Sequence, residues 1–186
     1  GFAAHDTPVS THGDGLEGIA LHRKTKGLLQ RFEKLRIQSR LGAYDGSRLG
    51  RALCTLGGGN HYLEGVIDEE QRVWLVVHSG SRNIGKTIGE IAIEMAKEVA
   101  IKVQRDLVDR DLAWLDEGSD EFAIYIEAMH WVQEYAALNR RLMMHAACKA
   151  MVAEFGLPDL SALYGGEVAV SCHHNYTQME VHFGQS

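Results

Sequence analysis

Histidines stand next to short polar motifs at three places in this 186-residue chain. His61 follows three glycines and an asparagine in the motif TLGGGNHYLEG, and His78 opens the motif HSGSRNIG. Near the end of the chain, the motif CHHNY contains His173 and His174. Imidazole nitrogens bind Zn, Mn, Fe, Ni or Cu, so these residues indicate a metal site without selecting the metal. A structural, hydrogen-bonding role is the alternative for each histidine taken alone.

The residues around these histidines are suited to phosphate. Consecutive glycines allow positive φ and a close approach of the backbone, and their N–H groups can form a nest for phosphate oxygens. Ser79, Ser81 and Arg82 offer two hydroxyls and a guanidinium at a predicted helix start. An ordinary turn and a helix cap are the respective alternatives. No GK[ST] follows the glycines, and a predicted strand rather than a helix comes next, so neither a P-loop nor a dinucleotide fingerprint is present.

Two predicted strands must position the first two histidines. The sequence predicts strands over 61–67 and 72–77, separated by the polar turn 68–71. In an antiparallel pair, His61 at the start of one strand and His78 at the end of the next lie close together on the same side.

Long helices are predicted to flank this pair. Apolar spacing predicts helices over 83–107 and about 121–155, the second with a possible break and a stop at Gly156. The stretch 19–41 is basic and compatible with a helix, 42–50 reads as a loop, and 167–171 as a short strand. We therefore expect an α/β (α+β) fold in which strands carrying the site histidines pack against long helices, with residues 1–186 as one domain.

Composition narrows the cellular setting and the partners. The formal charge is −6, so nucleic acid would have to be held by a local cluster, and the basic stretch 19–41 is either a solvated helix face or such a contact. Three cysteines without CxxC spacing favour a reducing, cytoplasmic location and structural thiols. No apolar run approaches the roughly 18 residues of a membrane span, and the first residues do not form a signal peptide. Because the chain lacks an initiator Met, we expect a fragment or a processed product.

The motifs TLGGGNHYLE, HSGSR and CHHNY, in this order and separated by a long helical segment, resemble the RtcB family of RNA ligases. The resemblance runs from about Ala52 to Gly184. The chain is similar to only the central portion of the longer family proteins. It implies a ligase that uses Mn²⁺ and GTP in RNA repair or tRNA splicing. A histidine receives GMP from GTP and passes it to an RNA 3′-phosphate, which is formed where necessary by opening a 2′,3′-cyclic phosphate. The 5′-hydroxyl of the second RNA then displaces GMP.

The resemblance also implies roles for individual residues. His61, His78 and His174 match manganese ligands. Arg82 matches a residue that holds the phosphate of an RNA end. The positions that match nucleotide-binding residues are Asn60, Tyr62, Glu64 and Asn175. Asn139-Arg140 resembles a family helix motif to which we assign no role.

The chain departs from the family pattern in three respects. We find no upstream Asp-x-x-Cys, which in the family holds both metals, and no match to the guanylylated histidine, which is expected outside this chain. Cys54 and Asn83 occupy positions where glycine is usual. We therefore expect weak metal binding and no covalent GMP adduct from this chain alone. Two other functions remain open: a metal-dependent phosphoesterase, and a non-catalytic module that binds metal or nucleotide.

Overall fold

The computed structural model describes residues 15–159 and 169–173. Within this part of the chain, four α-helices and a small two-stranded sheet form an α+β arrangement. The elements are α1 (Gly15–Phe32), α2 (Gly46–Ala52), β1 (Tyr62–Ile67), β2 (Val73–His78), α3 (Ile84–Lys102) and α4 (Asp120–Phe155). Short 3-10 turns lie at Gln38–Arg40 and Arg110–Leu112.

The predicted hairpin is confirmed. The strands β1 and β2 are antiparallel, and Tyr62 pairs with His78 at one end while Ile67 pairs with Val73 at the other. Asp68 closes the turn because its carboxylate accepts hydrogen bonds from the backbone N–H of Arg72 (2.9 Å) and from the indole of Trp74 (2.8 Å). The sheet is largely exposed, however, and only β2 packs against α4.

The helix predictions are mostly confirmed, with four differences. The helix predicted over 83–107 ends at Lys102, and within the basic stretch 19–41 the α-helix ends at Phe32. α4 runs without a break for 36 residues from the Ser119 cap to Gly156, where φ is 61°. The prediction of a loop over 42–50 is wrong from Gly46 onwards, because α2 begins there. The Asp45 carboxylate caps this helix by accepting from the N–H of Arg48 (2.6 Å), and Leu49 is buried in the core. Capping and burial thus outweigh a composition that is typical of a turn.

The segment before CHHNY also differs from its prediction. Residues 169–171, which were predicted as part of a strand over 167–171, have no regular secondary structure. No strand among the described residues pairs with them, and an unpaired backbone cannot form a ladder. The rest of that predicted strand lies outside the described residues.

The core is formed where α1, α2 and the start of α3 meet the N-terminal half of α4. The Phe32 and Trp131 rings lie 4.9 Å apart, and the Trp131 indole donates to the carbonyl of Leu28 (2.9 Å). Tyr135 is fully buried and its hydroxyl donates to the carbonyl of Leu49 (2.8 Å). Burial raises the pKa of Tyr135 above its ordinary value, so the hydroxyl stays protonated as a donor.

The basic stretch before α2 carries several ion pairs. Arg31 binds Glu134, Arg36 binds Asp120 (3.1 Å) and Arg40 binds Glu98 (2.9 Å). These three guanidinium groups therefore connect the first part of the chain to α3 and α4, which favours the interpretation of a structural surface over a polyanion contact for them. No helix in residues 15–159 has the combined length and apolar character of a membrane span.

The buried hydroxyl of Tyr135 gives a test of this core. We expect Tyr135→Phe to lower the free energy of unfolding by about 1–2 kcal/mol, because the Leu49 carbonyl loses its partner inside the protein. Tyr125→Phe is the control, since the hydroxyl of Tyr125 makes no hydrogen bond among the described residues. Urea unfolding of both variants checks this, and equal effects would contradict it.

Candidate active site

The end of the hairpin brings two of the predicted metal-binding histidines together. The His61 and His78 ring centroids are 5.8 Å apart, and the Tyr62 ring contacts the edge of His78 at 5.3 Å. His61 precedes the first residue of β1, and His78 is the last residue of β2. The strand pairing that was expected from spacing alone is therefore what places the imidazoles side by side.

His61 has the properties of a metal ligand. Its Nδ1 atom is buried and has no hydrogen-bond partner among the described residues. Burial lowers the pKa of His61, and the neighbouring Arg82 and His78 side chains lower it further, while the Leu56 carbonyl acts in the opposite direction. The neutral imidazole is the form that binds a metal, so this residue fits Mn²⁺ or another ion of similar preference.

The described residues do not complete a metal site. Across residues 15–159 and 169–173, no group of three or more His, Cys, Asp and Glu side chains is arranged to hold an ion. The third predicted ligand, His174, and the predicted nucleotide contact Asn175 both lie outside the described residues. Their neighbour His173 lines the same cleft as His61, so the chain leading to His174 reaches this part of the molecule.

Arg82 lies directly beside His61 and is held by the glycine loop. Its Nε donates to the Thr55 hydroxyl (2.8 Å), and its Nη1 donates to the carbonyl of Leu56 (3.2 Å). A Cβ atom added to Gly57, whose φ is 98°, would lie 1.8 Å from Nη1 of Arg82 and 2.6 Å from Nδ1 of His61. Only glycine leaves room for this arrangement. Gly58 and Gly59, in contrast, face open space in which a ligand can approach the backbone.

The two serines of HSGSR have structural partners. Ser79 is buried and donates to the carbonyl of Leu56 (2.9 Å). The Ser81 hydroxyl accepts from the backbone N–H of Gly85 (3.1 Å) in the first turn of α3. The helix-capping interpretation therefore describes Ser81 well, while Ser79 joins the histidine motif to the glycine loop.

Asn139 on α4 connects both motifs, a role that the sequence did not predict. Its side chain is fully buried, and Nδ2 lies within hydrogen-bond distance of the Ser79 hydroxyl (3.1 Å), the Gly80 carbonyl (3.2 Å) and the Thr55 carbonyl (3.4 Å). A polar residue among the apolar positions of a helix, next to Leu138, was the available signal. Asn139 thus sets the distance between the loop before His61 and the loop after His78.

The backbone conformation explains why glycine is usual at the positions of Cys54 and Asn83. Cys54 and Asn83 both adopt left-handed conformations, with φ of 57° and 75°, which is the region that glycine occupies without penalty. Asn tolerates this region better than most residues, and Asn83 gains a hydrogen bond from its amide to the hydroxyl of Tyr44 (3.0 Å). Cys54 gains no such bond among the described residues, and burial raises the pKa of its thiol, so the thiolate is disfavoured.

The remaining predicted contacts are accessible to a ligand. Asn60, Tyr62 and Glu64 are exposed, and Glu64 lies opposite Val76 in the hairpin. Tyr62 and Glu64 share one face of β1 because they are two residues apart. The three cysteines are free, with Cys148 buried in α4 as expected and Cys172 exposed.

A cleft of about 990 Å³ lies between the start of α3 and α4 and opens beside the histidines. His61, Ser79 and Arg82 form one wall, and Gln133 and Arg140 lie on the α4 side. The site therefore consists of two imidazoles at a hairpin end and a larger cleft that extends away from them.

Comparison of the sequence with known proteins assigns the chain to a family. The model of the tRNA-splicing ligase RtcB family matches residues 23–186. The chain belongs to the RtcB family. Two Escherichia coli relatives, named RNA-splicing ligase RtcB1 and, in strain K12, RNA-splicing ligase RtcB, are 41% and 40% identical over 135 residues. These matches cover 72% of this chain and 33% of each relative, so the chain spans about one third of their length.

A more distant relative gives the same family. The tRNA-splicing ligase RtcB of Methanopyrus kandleri is 32% identical over 151 residues, which cover 70% of this chain and 15% of the relative. Since the family match includes the glycine loop, the hairpin, α3 and α4, the family segment and the candidate site coincide.

The contact between Gly57, His61 and Arg82 predicts a position-specific effect of alanine. We expect Gly57→Ala to displace Arg82 and His61 and to destabilise the protein by about 1–3 kcal/mol, since φ is also unfavourable for alanine there. Gly59→Ala is the matched control, because its φ of 77° is also positive while its Cβ would meet no atom within 4 Å. Urea unfolding and ¹⁵N NMR of the histidine rings are the measurements, and similar changes in both variants would refute the close-packing argument.

The hydrogen bonds of Asn139 predict a second effect. Asn139→Asp keeps the shape of the side chain but removes its N–H donors. The carboxyl group then lies against the Thr55 and Gly80 carbonyls. We expect a loss of about 1–3 kcal/mol in unfolding free energy and altered histidine ring signals. Gln30→Glu makes the same chemical change at an exposed position of α1 and should alter neither. Unchanged ring signals in a folded Asn139→Asp protein would contradict the positioning role.

Proposed function

We propose that this chain carries part of the active site of a GTP- and Mn²⁺-dependent RNA ligase. The reaction joins an RNA end with a 2′,3′-cyclic phosphate or 3′-phosphate to a 5′-hydroxyl end, as in RNA repair or tRNA splicing. The observation that carries this proposal is the pair of imidazoles, His61 and His78, beside Arg82 in a segment that belongs to the RtcB family. The free thiols fit the reducing cytoplasm in which we place the protein.

The residues of this chain supply binding and orientation. His61 and His78, together with His174, would hold Mn²⁺, and the bound ion would neutralise phosphate charge and align the reacting groups. The guanidinium of Arg82 provides N–H donors for the phosphate of an RNA end while remaining anchored to the glycine loop. The histidine that takes up GMP lies outside this chain.

The exposed face of β1 is suited to the nucleotide. The Glu64 carboxylate can accept hydrogen bonds from N1–H and the N2 amino group of guanine, and Tyr62 offers an aromatic surface two residues away. Asn60 and Asn175 would contact the nucleotide phosphates. Recognition of guanine in this way would favour GTP over other triphosphates.

A ligation assay with the full gene product tests the proposal. We expect joined RNA from a strand with a cyclic-phosphate end and a strand with a 5′-hydroxyl, in the presence of GTP and Mn²⁺. His78→Ala should abolish joining and weaken Mn²⁺ binding by about 100-fold or more, because losing even an outer partner of a metal ligand costs about 10–100-fold. Gel analysis and calorimetry are the measurements.

His130→Ala is the control for this assay, since His130 is exposed on α4 away from the hairpin. It should leave joining and Mn²⁺ affinity unchanged. Release of a 3′-phosphate without any joined product would favour the phosphoesterase, and Mn²⁺ binding without either product would favour the non-catalytic module. A His78→Ala protein that still joins RNA at the normal rate would sink the metal assignment.

A further inference from the structure

The arginines that the structure describes differ in their partners. Five of them bind carboxylates, and these ion pairs are Arg31–Glu134, Arg36–Asp120, Arg40–Glu98, Arg72–Asp68 and Arg105–Asp116. Arg48 and Arg51 are exposed and bond the Ala43 carbonyl and the Ser47 hydroxyl. Arg82 and Arg140 have no carboxylate partner among residues 15–159 and 169–173 either, and they differ from the exposed arginines because both line the cleft.

Arg140 is the more unusual of these two residues. Its side chain is half-buried on α4, and burial lowers the pKa of its guanidinium. The hydrogen bond that it makes within the described residues is from Nη2 to the Ser171 hydroxyl, at 3.3 Å. A partly desolvated cation is costly unless an anion compensates for the lost water, so Arg140 has unused capacity for a negatively charged ligand.

The surroundings of Arg140 strengthen this interpretation. The cleft also contains Gln133, which lies seven residues before Arg140 and therefore on the same face of α4, two turns away. Its Nε2 atom is buried without a hydrogen-bond partner among the described residues. Lys86 in the first turn of α3 lies on the opposite wall, and its ammonium group pairs with Glu90 on the same helix (3.6 Å). No Asp or Glu of the described part of the chain lines the cleft itself. The unused N–H donors of Gln133 and Arg140, with positive charge nearby, are what a phosphate group requires.

We propose that Arg140, with Gln133 and Lys86, forms a second phosphate subsite in the cleft, distinct from the phosphate contact of Arg82. Arg82 is anchored beside His61 by Thr55 and Leu56, whereas Arg140 projects from α4 and is tied to the segment that precedes His174. The subsite takes the phosphodiester next to a reacting RNA end, or else a phosphate of the nucleotide. This inference rests on the proposed function.

The test compares the affinities of the full gene product and its Arg140→Gln variant for two ligands. Single-stranded RNA with a 5′-hydroxyl is titrated by fluorescence anisotropy at several salt concentrations, and GTP by calorimetry. We expect RNA affinity to fall about 10–100-fold, as for a lost hydrogen bond to a charged group. The slope of log K against log salt should become shallower by about 0.7, the contribution of one phosphate on a single strand.

Two further variants separate charge from general damage. Arg140→Lys keeps the charge, so the salt slope should stay near that of the wild type while part of the affinity is recovered. Arg110→Gln removes an exposed arginine outside the cleft and should change neither affinity. If Arg140→Gln does not fold, Gln133→Glu carries the test, because a carboxylate in the same cleft repels phosphate and should weaken binding about tenfold.

The outcomes are distinct. Weaker RNA binding with unchanged GTP binding identifies the phosphodiester, and the reverse identifies the nucleotide phosphate; both support the subsite. Unchanged affinities for both ligands in a folded Arg140→Gln or Gln133→Glu protein overturn it. If the wild type joins RNA but the variants bind normally, only this inference fails, whereas a wild type that neither binds nor joins RNA ends the proposed function as well.

Discussion

The geometry of the candidate site depends on one buried amide. Asn139 is fully buried on a helix of 36 residues, and its Nδ2 contacts the loop before His61 and the loop after His78. A hairpin of two strands is only marginally stable alone, and this one is exposed over most of its surface. The strand pairing brings the two imidazoles together, and α4 holds the adjoining loops in place through the Asn139 side chain. Because a buried donor without a partner is costly, the contact also selects a single arrangement of the two loops.

The same loops pack too closely to admit any residue but glycine at position 57. Gly57 leaves room for Arg82 and His61 to lie side by side, and the positive charge of Arg82 contributes to lowering the pKa of His61. Arg82 and Asn83 accept left-handed backbone conformations in the turn that leads into α3. Such conformations cost free energy and persist only where surrounding contacts hold them. Here the hydrogen bonds from Arg82 to Thr55 and Leu56 do so, and they link the backbone strain to the position of the guanidinium.

Much of this could be predicted from the sequence, because the signals were local. Two strand-forming runs on either side of a polar turn predicted the hairpin and hence the meeting of His61 and His78. The three motifs predicted the family. The contacts that hold the site together could not be predicted from the sequence. The polar Asn139 among apolar helix positions was a local signal, but nothing in the sequence identified its partners in two distant loops. α2 was missed because its stability comes from burying Leu49 rather than from helix propensity. The hydrogen bonds from Arg82 to Thr55 and Leu56 join residues that are 27 and 26 positions apart in the sequence, so local patterns could not predict them.

The distribution of charge shows how an acidic chain can accept a polyanion. The formal charge is −6, which gives no overall attraction for RNA. The acidic side chains that form ion pairs lie on the outer surface, where they neutralise arginines such as Arg31, Arg36 and Arg40. The described residues of the cleft include cations but no carboxylates. Within low-dielectric walls such a local imbalance acts more strongly than the net charge, because fewer water molecules screen it. The cleft thus favours anions because no described carboxylate lines it. Elsewhere, carboxylates are paired with arginines on the surface.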